Sequence, residues 1–455
     1  LVDPVSGVGS CSLDVDACAT HGCPRGFVCQ NDQCLNACGS IVACPDGLCV
    51  DGACIPVRGD AGVLPLDAGR PTPHITSIVG ANQHFCAIGT DPSSGASGLW
   101  CWGQSATQEL GDRLVAHGAC AACSPVPVRV LDASGAPMMG VTAVAGANAD
   151  SVVGSTAGYT CAVIGGGVQC WGTIGNNAYG PSPQPIHDAI TSMPLTDVRS
   201  IDAAMVHACV RVGAAGDVSC WGTGSDGQLG TGMTTDAADA VRATQIPSTA
   251  TSLALAWLHT LALMPDGSML SVGNNDGLGF GTTATSPVTT ASMSTEAAAS
   301  FVATGRGVTC IVARSDQSVQ CFGWVSPLVA QNAMDTNCPL GACTLAPTVI
   351  PAPTGETIAG LTIGAGNPAS TVCIWTASGR AYCAGSTALA LSATAFAAVP
   401  NLSNVAEIAA GNEAMCARTM SGEVWCWGIG ENGELGRGTM GSPFGDPVPQ
   451  RVLWP

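Results

Sequence analysis

The sequence predicts an all-β chain, a seven-bladed β-propeller preceded by a small disulfide-rich module, and three observations carry that prediction. A short unit ending in Cys-Trp-Gly, or a variant of it, comes back seven times. The units start at Cys86, Cys161, Cys209, Leu261, Cys310, Cys373 and Cys416, on average about fifty residues apart. A β-type unit at the top of the range of about 20–50 residues fits a propeller blade of about four strands. Finally, residues 1–54 hold nine cysteines and little apolar material, which sets them apart as a separate module.

The unit is fullest over residues 208–232. Two short apolar runs flank the Gly216-Asp217 turn and read as a β-hairpin, and a glycine-rich loop with one leucine, Leu229, follows Cys220-Trp221-Gly222. Six hairpins place two cysteines at matching ends: Cys86 and Cys101, Cys161 and Cys170, Cys209 and Cys220, Cys310 and Cys321, Cys373 and Cys383, Cys416 and Cys426. The seventh has Leu261 and Ser271 instead. Loss of both cysteines together is what a disulfide inside each hairpin predicts, because losing one would leave a free thiol. Facing residues of an antiparallel pair come close enough for the Cα separation of about 5.5–6 Å that a disulfide favours. Each bridge closes a loop of order ten residues, worth roughly 2–3 kcal/mol in the chain-entropy account. Strand alternation sends each cysteine and the tryptophan after it to opposite faces of the blade. Trp102, Trp171, Trp221 and Trp427 are therefore expected to pack between blades rather than to stack on a ligand.

The pattern His-x-Cys, then Gly-x-Val-x-Cys-Trp-Gly, then Gly-Gln-Leu-Gly resembles the regulator-of-chromosome-condensation repeat, whose members are seven-bladed propellers. The resemblance spans residues 73–455, with near-complete loops at Gly227-Gln-Leu-Gly230 and Gly433-Glu-Leu-Gly436 and a partial one at Glu109-Leu-Gly111. It fades in the fifth and sixth units, at Cys321-Phe-Gly323 and Cys383-Ala-Gly385. With its cysteine-rich N-terminal module, the chain is similar to exported bacterial proteins of this architecture. The stretch Pro447-Val-Pro-Gln-Arg-Val-Leu-Trp454 repeats Pro125-Val-Pro-Val-Arg-Val-Leu131, read as the strand that starts a unit. The resemblance implies that a C-terminal strand completes the first blade and closes the ring.

Composition narrows the functions. The net charge is −18, from 14 arginines, no lysine and 32 acidic residues. Nucleic acid is an unsuitable partner, because phosphate binding relies on clustered cations. The chromatin roles of the family are therefore not carried over. A lysine-free chain also has no Schiff-base chemistry and no phosphate-loop lysine. Twenty-five cysteines place it in an oxidising compartment, and the absence of a starting methionine reads as a mature form after signal removal. The most apolar run, 253–264, is interrupted by His259 and too short to span a bilayer, so a secreted or cell-surface protein is expected.

Residues 1–54 read as two tandem four-cysteine knots: Cys18, Cys23, Cys29 and Cys34, then Cys38, Cys44, Cys49 and Cys54. Disulfides substitute there for a core too small to build. Zinc ligation is the competing reading, disfavoured by export and by the lack of tight Cys-x2-Cys pairs. Cys11 is left over and reads as unpaired or intermolecular. Residues 55–73 are a Pro/Gly linker, in which Arg58-Gly-Asp60 is read as linker, and 74–455 is the propeller.

Two long stretches, 104–157 and 324–370, follow the same point of their units and are expected to leave one face of the disc as functional loops. Each carries a further pair, Cys120 with Cys123 and Cys338 with Cys343. The Cys-x2-Cys pair is read as a loop staple in preference to a redox site. His84, His207 and His259 share one repeat position, which points to a hairpin hydrogen bond rather than catalysis. No catalytic constellation, metal ligand set or cofactor motif emerges. The expected function is that of a non-enzymatic protein-interaction or structural module. The alternative is a subunit of an extracellular filament or coat, joined through its cysteine-rich arm as a homo-oligomer or polymer. A loop-built hydrolase or lyase is the remaining reading.

Overall fold

The computed structural model describes residues 72–454 except 82, 93, 115–116, 118–119, 149–157, 175–176, 275–287, 294–297, 306, 329–342, 365–369, 387–388, 390–391 and 442–444. At 148, 177–178, 180–181, 288–293 and 345, and in four strands between residues 27 and 56, the backbone alone is described. Among the described residues there is no helix, and seven four-stranded sheets follow one another along the chain as blades. Their strands span 74–129, 141–185, 198–242, 252–293, 299–350, 358–398 and 405–451, here blades 1 to 7.

Every blade is an antiparallel meander in sequence order, from an inner strand to an outer one. The predicted hairpins are the second and third strands, with the cysteines directly opposed: Cys209 faces Cys220, and Cys416 faces Cys426. In the cysteine-free unit Leu261 faces Ser271 in the same register. The bridged pairs lie 4.1–4.2 Å apart at Cα, closer than the separation expected from sequence. They occupy the narrow, non-hydrogen-bonded type of cross-strand position, where Cα atoms approach to about 4.5 Å.

The glycine after Cys-Trp outlasts both other residues because the backbone requires it. Gly103, Gly172, Gly222, Gly273, Gly323, Gly385 and Gly428 all have positive φ. A Cβ on Gly222 would lie 2.4 Å from the Val206 carbonyl oxygen, and one on Gly385 would lie 2.3 Å from that of Ser370. Only glycine tolerates that dihedral and that approach together.

Apolar side chains fill the interfaces between blades, and each blade presents different residues to its two neighbours. The Cys209–Cys220 disulfide packs with Leu253 and Val272 of blade 4, whereas Trp221 packs with Tyr159 and Val163 of blade 2. Cys86 and Cys101 likewise meet Trp171 of blade 2, and Trp102 meets Leu435 of blade 7. The smallest apolar cluster among the described residues is Leu263, Met269, Ala299, Ile311 and Phe322, between blades 4 and 5. Blade 4 is also the one without a cysteine pair. Installing Leu261→Cys with Ser271→Cys is expected to add roughly 2–3 kcal/mol through a closed loop of order ten residues, less roughly 1–2 kcal/mol of lost leucine packing. The check is a higher thermal midpoint for the oxidised double variant than for wild type, and a lower one for Leu261→Cys alone.

The ring closes differently from the family-based expectation. The strand Asp446–Arg451 pairs with Val424–Gly428 of its own blade, and Cys123–Arg129 pairs with Ser97–Gln104. The Pro-Val-Pro strand thus ends a blade rather than starting one, and among the described residues no strand is exchanged between blades. Closure rests on contacts across the seam. Trp454 meets Trp100 and Trp102 edge-on at 6.0 Å, and the Gly438 N–H donates to the Pro125 carbonyl at 2.8 Å; within blade 1, Trp102 stacks on Phe85 at 5.9 Å.

The two long stretches are not single insertions either. Each contains the outer strand of one blade and the inner strand of the next: Cys123–Arg129 with Val141–Asn148, and Thr344–Ile350 with Ile358–Gly364. In the N-terminal region the strands Phe27–Gln30, Gln33–Ala37, Gly47–Val50 and Ala53–Pro56 form two hairpins. Their second strands pair with each other, making one four-stranded sheet. Cys29 lies opposite Cys34, and Cys49 opposite Cys54, in backbone register.

Candidate functional site: the loop-bearing face and the central shaft

In a four-stranded meander the loops after the first and third strands leave one end of the blade. That end carries the glycine-rich loops. In Gly227-Gln-Leu-Gly230 and Gly433-Glu-Leu-Gly436 both glycines have positive φ, and two successive tight turns are closed by N–H to carbonyl bonds of 2.9–3.1 Å. Blade 1 puts Gln108 in the left-handed conformation where the others have glycine, so its partial motif folds the same way. The middle side chain caps its own turn: Glu109 accepts from the Thr107 N–H at 2.7 Å, Gln228 from Asp226 at 2.9 Å and Glu434 from Asn432 at 2.8 Å. Leu110, Leu229 and Leu435 are buried against the following blade.

These loops hold the ring together. The Trp171 indole N–H donates to the Glu109 carbonyl, and that of Trp102 to the Glu434 carbonyl, each at 2.8 Å; Trp427 donates to Leu389 at 3.1 Å. The threonine before the next blade's first cysteine position joins in: Thr160 donates to Glu109 and Thr260 to Gln228. Each of these hydroxyls is in turn 2.8 Å from a histidine of the preceding blade, His84 or His207. A hydroxyl has one hydrogen, already given to a carbonyl, so the histidine Nε2 carries a proton and is the donor. The shared histidine position therefore makes bonds between blades, not within a hairpin as the sequence suggested. Burial drives the His207 pKa down to about 3 and that of His259 to about 4. Burial also raises the Glu434 carboxyl to about 7.

Disulfides join Cys86–Cys101, Cys120–Cys123, Cys161–Cys170, Cys209–Cys220, Cys310–Cys321, Cys373–Cys383 and Cys416–Cys426. Cys343 is also disulfide-bonded. Cys11, Cys18, Cys23, Cys38, Cys44 and Cys338 lie outside the described residues. Beside the Cys120–Cys123 bridge, buried His117 contacts the Asp112 carboxylate through Nε2 and the Cys123 carbonyl through Nδ1 at 3.0 Å. Met440 of blade 7 touches Cys123 Sγ at 3.7 Å. Three large apolar side chains stand exposed on these loops: Leu114, Met233 and Met440, at 54%, 59% and 46%. Asp236, Glu413 and Glu431 are exposed on the same face.

Sequence reasoning missed the centre of the disc. The inner strands surround two adjoining cavities of about 190 Å³ each, which share Gly80, Gly146, Ala203, Leu255 and Thr304. One opens past Met205, Trp257 and Asn412 on the loop-bearing face, and Asp202 lines the other. No single unit contains such a shaft, so repeat-by-repeat reading had no signal for it. Among the described residues no cluster of three metal-binding side chains occurs, and no helix is long and apolar enough to cross a membrane.

Comparison with known proteins matches residues 405–434, within blade 7, to the Regulator of chromosome condensation (RCC1) repeat. Comparison with curated protein sequences finds no significant match. Among solved structures, human WBSCR16 is similar with a TM-score of 0.61 and 17% identity, over 82% of this chain and 94% of that one. A structure of Kap60 bound to yeast RCC1 (Prp20) is similar with a TM-score of 0.58 and 15% identity, over 88% and 91%. The matched repeat occupies one of seven blades of common build, and the fold is a seven-bladed β-propeller.

Proposed function

We propose that this protein is a non-enzymatic interaction module, exported from the cell, that docks a protein partner on its loop-bearing face. The observation that carries the reading is the presence of Leu114, Met233 and Met440, exposed on the third-to-fourth-strand loops of three different blades and therefore at one end of the ring. On that face His84 and His207 bond the next blade, and Glu109, Gln228 and Glu434 cap turns. A cofactor has no part in this reading. The exposed carboxylates of Asp236, Glu413 and Glu431 favour a partner with cationic groups on the facing surface.

The rim is a poor docking edge at five of the seven blades. Pro127, Pro183, Pro347 and Pro449 occupy one repeated place on the outer strands, just before the residue opposite the third-strand cysteine. Proline offers no N–H to an added strand. In blade 3 alanine stands there, and residues 187–189 cover it: the Ala240 N–H donates to the His187 carbonyl and the Ala189 N–H to the Ala240 carbonyl, both at 2.9 Å. A filament or coat subunit, the second reading, would then join through its cysteine-rich arm rather than through those blade edges.

Affinity capture from the native source followed by mass spectrometry tests the docking reading. A Leu114→Ser, Met233→Ser, Met440→Ser protein is expected to lose a partner that wild type retains. The opposite-face control Ile190→Ser, Met193→Ser, Met420→Ser should keep it. Equal retention by both triple variants would sink the assignment of the face. Light scattering of the oxidised protein with and without Cys11→Ser checks the second reading, which requires polymers that depend on Cys11.

A further inference from the structure

The seven inner strands are an internal comparison of one position seven times over. Where blade 3 has Asp202, the others have Val79, Ala145, Ala254, Ala303, Thr362 and Ala409, by their common register with the second strands. Asp202 is the one ionisable side chain among the residues lining the two shaft cavities. Among the described residues its carboxyl has no hydrogen bond or ion pair, although the Arg211 guanidinium on the adjacent strand favours its charged form. Both faces of an inner strand are covered by neighbouring blades, so the surface Asp202 retains opens into the shaft. Burial there raises its pKa to about 7, an expense the six other blades avoid.

A carboxyl held in a cavity walled by backbone polar groups and small aliphatic side chains is built to meet a small cation with a short apolar body. At about 190 Å³ the space is somewhat larger than the roughly 150 Å³ cavity that takes up benzene. It suits a ligand of roughly five to eight non-hydrogen atoms. Entry lies past Met205 and Trp257, whose thioether and indole are both favourable neighbours for such a group.

We infer that the central shaft is a binding site for a primary alkylammonium group, with Asp202 as its counter-ion. The group belongs either to a free small amine or to a lysyl side chain of another protein. No lysyl side chain of a second copy can supply it, because none of these 455 residues is lysine. The inference goes beyond the docking reading and does not depend on it.

The test titrates the full oxidised protein with n-butylammonium by calorimetry and by ligand-observed NMR, with n-butanol as the neutral probe. Millimolar binding of butylammonium but not butanol is expected, weakened about tenfold or more by Asp202→Asn and unchanged by Asp132→Asn on the opposite face. Ala203→Leu, which narrows the shaft and keeps the carboxyl, is expected to weaken binding as well and carries the test if Asp202→Asn fails to fold. A glycine-flanked lysyl peptide separates the sources: its binding supports a partner side chain, and its exclusion while butylammonium binds supports a free amine. Absence of butylammonium binding, or equal binding by wild type and both shaft variants, overturns the site. Either of those results leaves the capture experiment on the loop face untouched, so the two readings fail separately.

Discussion

Trp102→Ala is expected to lower stability by about 3–5 kcal/mol and to open the ring at the seam between blades 7 and 1. Among the described residues no exchanged strand spans that seam, so its side chains carry the closure. The Trp102 indole is fully buried, stacks on Phe85, meets Trp454 edge-on and donates to the Glu434 carbonyl at 2.8 Å. Truncation leaves a cavity the size of an indole and strands a buried acceptor. Trp102→Phe keeps most of the volume and loses the donor, and is expected to lose less, about 1–2 kcal/mol. Denaturation midpoints give the magnitudes. Hydrogen exchange gives the location, with protection lost first in blades 1 and 7. Uniform loss around the ring would show that closure is not concentrated there.

The second large effect is on the pH dependence of stability. An unfolded histidine titrates near 6.5, whereas burial holds His207 at about 3 and His259 at about 4. Their contribution is complete above about pH 6.5 and is lost as the pH falls toward 4 and below, because the unfolded chain takes up protons first. Glu434 works in the opposite sense. Its carboxyl is raised from 4.5 to about 7, so the folded state keeps a proton that the unfolded state releases. That contribution is complete below about pH 4.5 and is lost as the pH rises to 7; Asp202 has the same sign. The opposed groups leave wild type with a shallow profile between these limits.

Glu434→Gln is expected to unmask the histidines. At pH 8 the variant should exceed wild type by roughly 3 kcal/mol, since it is spared ionising a buried carboxyl, and at pH 4.5 the two should be about equal. Gln228 already fills the same place in blade 3, so the loop accepts the amide. Its stability should therefore fall on acidification more steeply than that of wild type. His207→Gln should be less stable at neutral pH and lose less in acid. Urea midpoints at pH 4.5, 6 and 8 measure all three, and parallel profiles would refute the assignment.

Much of the architecture was legible before any coordinates, for a local reason. A hairpin is made by residues nine to fifteen apart with a turn between them, and the Gly-Asp turn, the alternating runs and the paired cysteines all lie within that reach. The joint loss of cysteine at Leu261 and Ser271 marked a facing pair, and the backbone places those two residues opposite each other. The loop leucines were legible as a motif, while what they cover, an indole or its equivalent on the next blade, was not.

By itself the sequence determined the repeat: its period, its number and the pairing of strands within a unit. A repeat has no marked beginning, however, so any cyclic shift of the unit fits the same residues. Only the tertiary structure decided that the Pro-Val-Pro strand ends a blade, because that depends on whether Asp446–Arg451 finds its partner in its own sheet or across the ring. The same holds for the histidine bonds between blades and for the shaft with its single carboxylate. These depend on contacts between residues fifty to more than three hundred positions apart, which exist once the ring has closed and have no local trace in the chain.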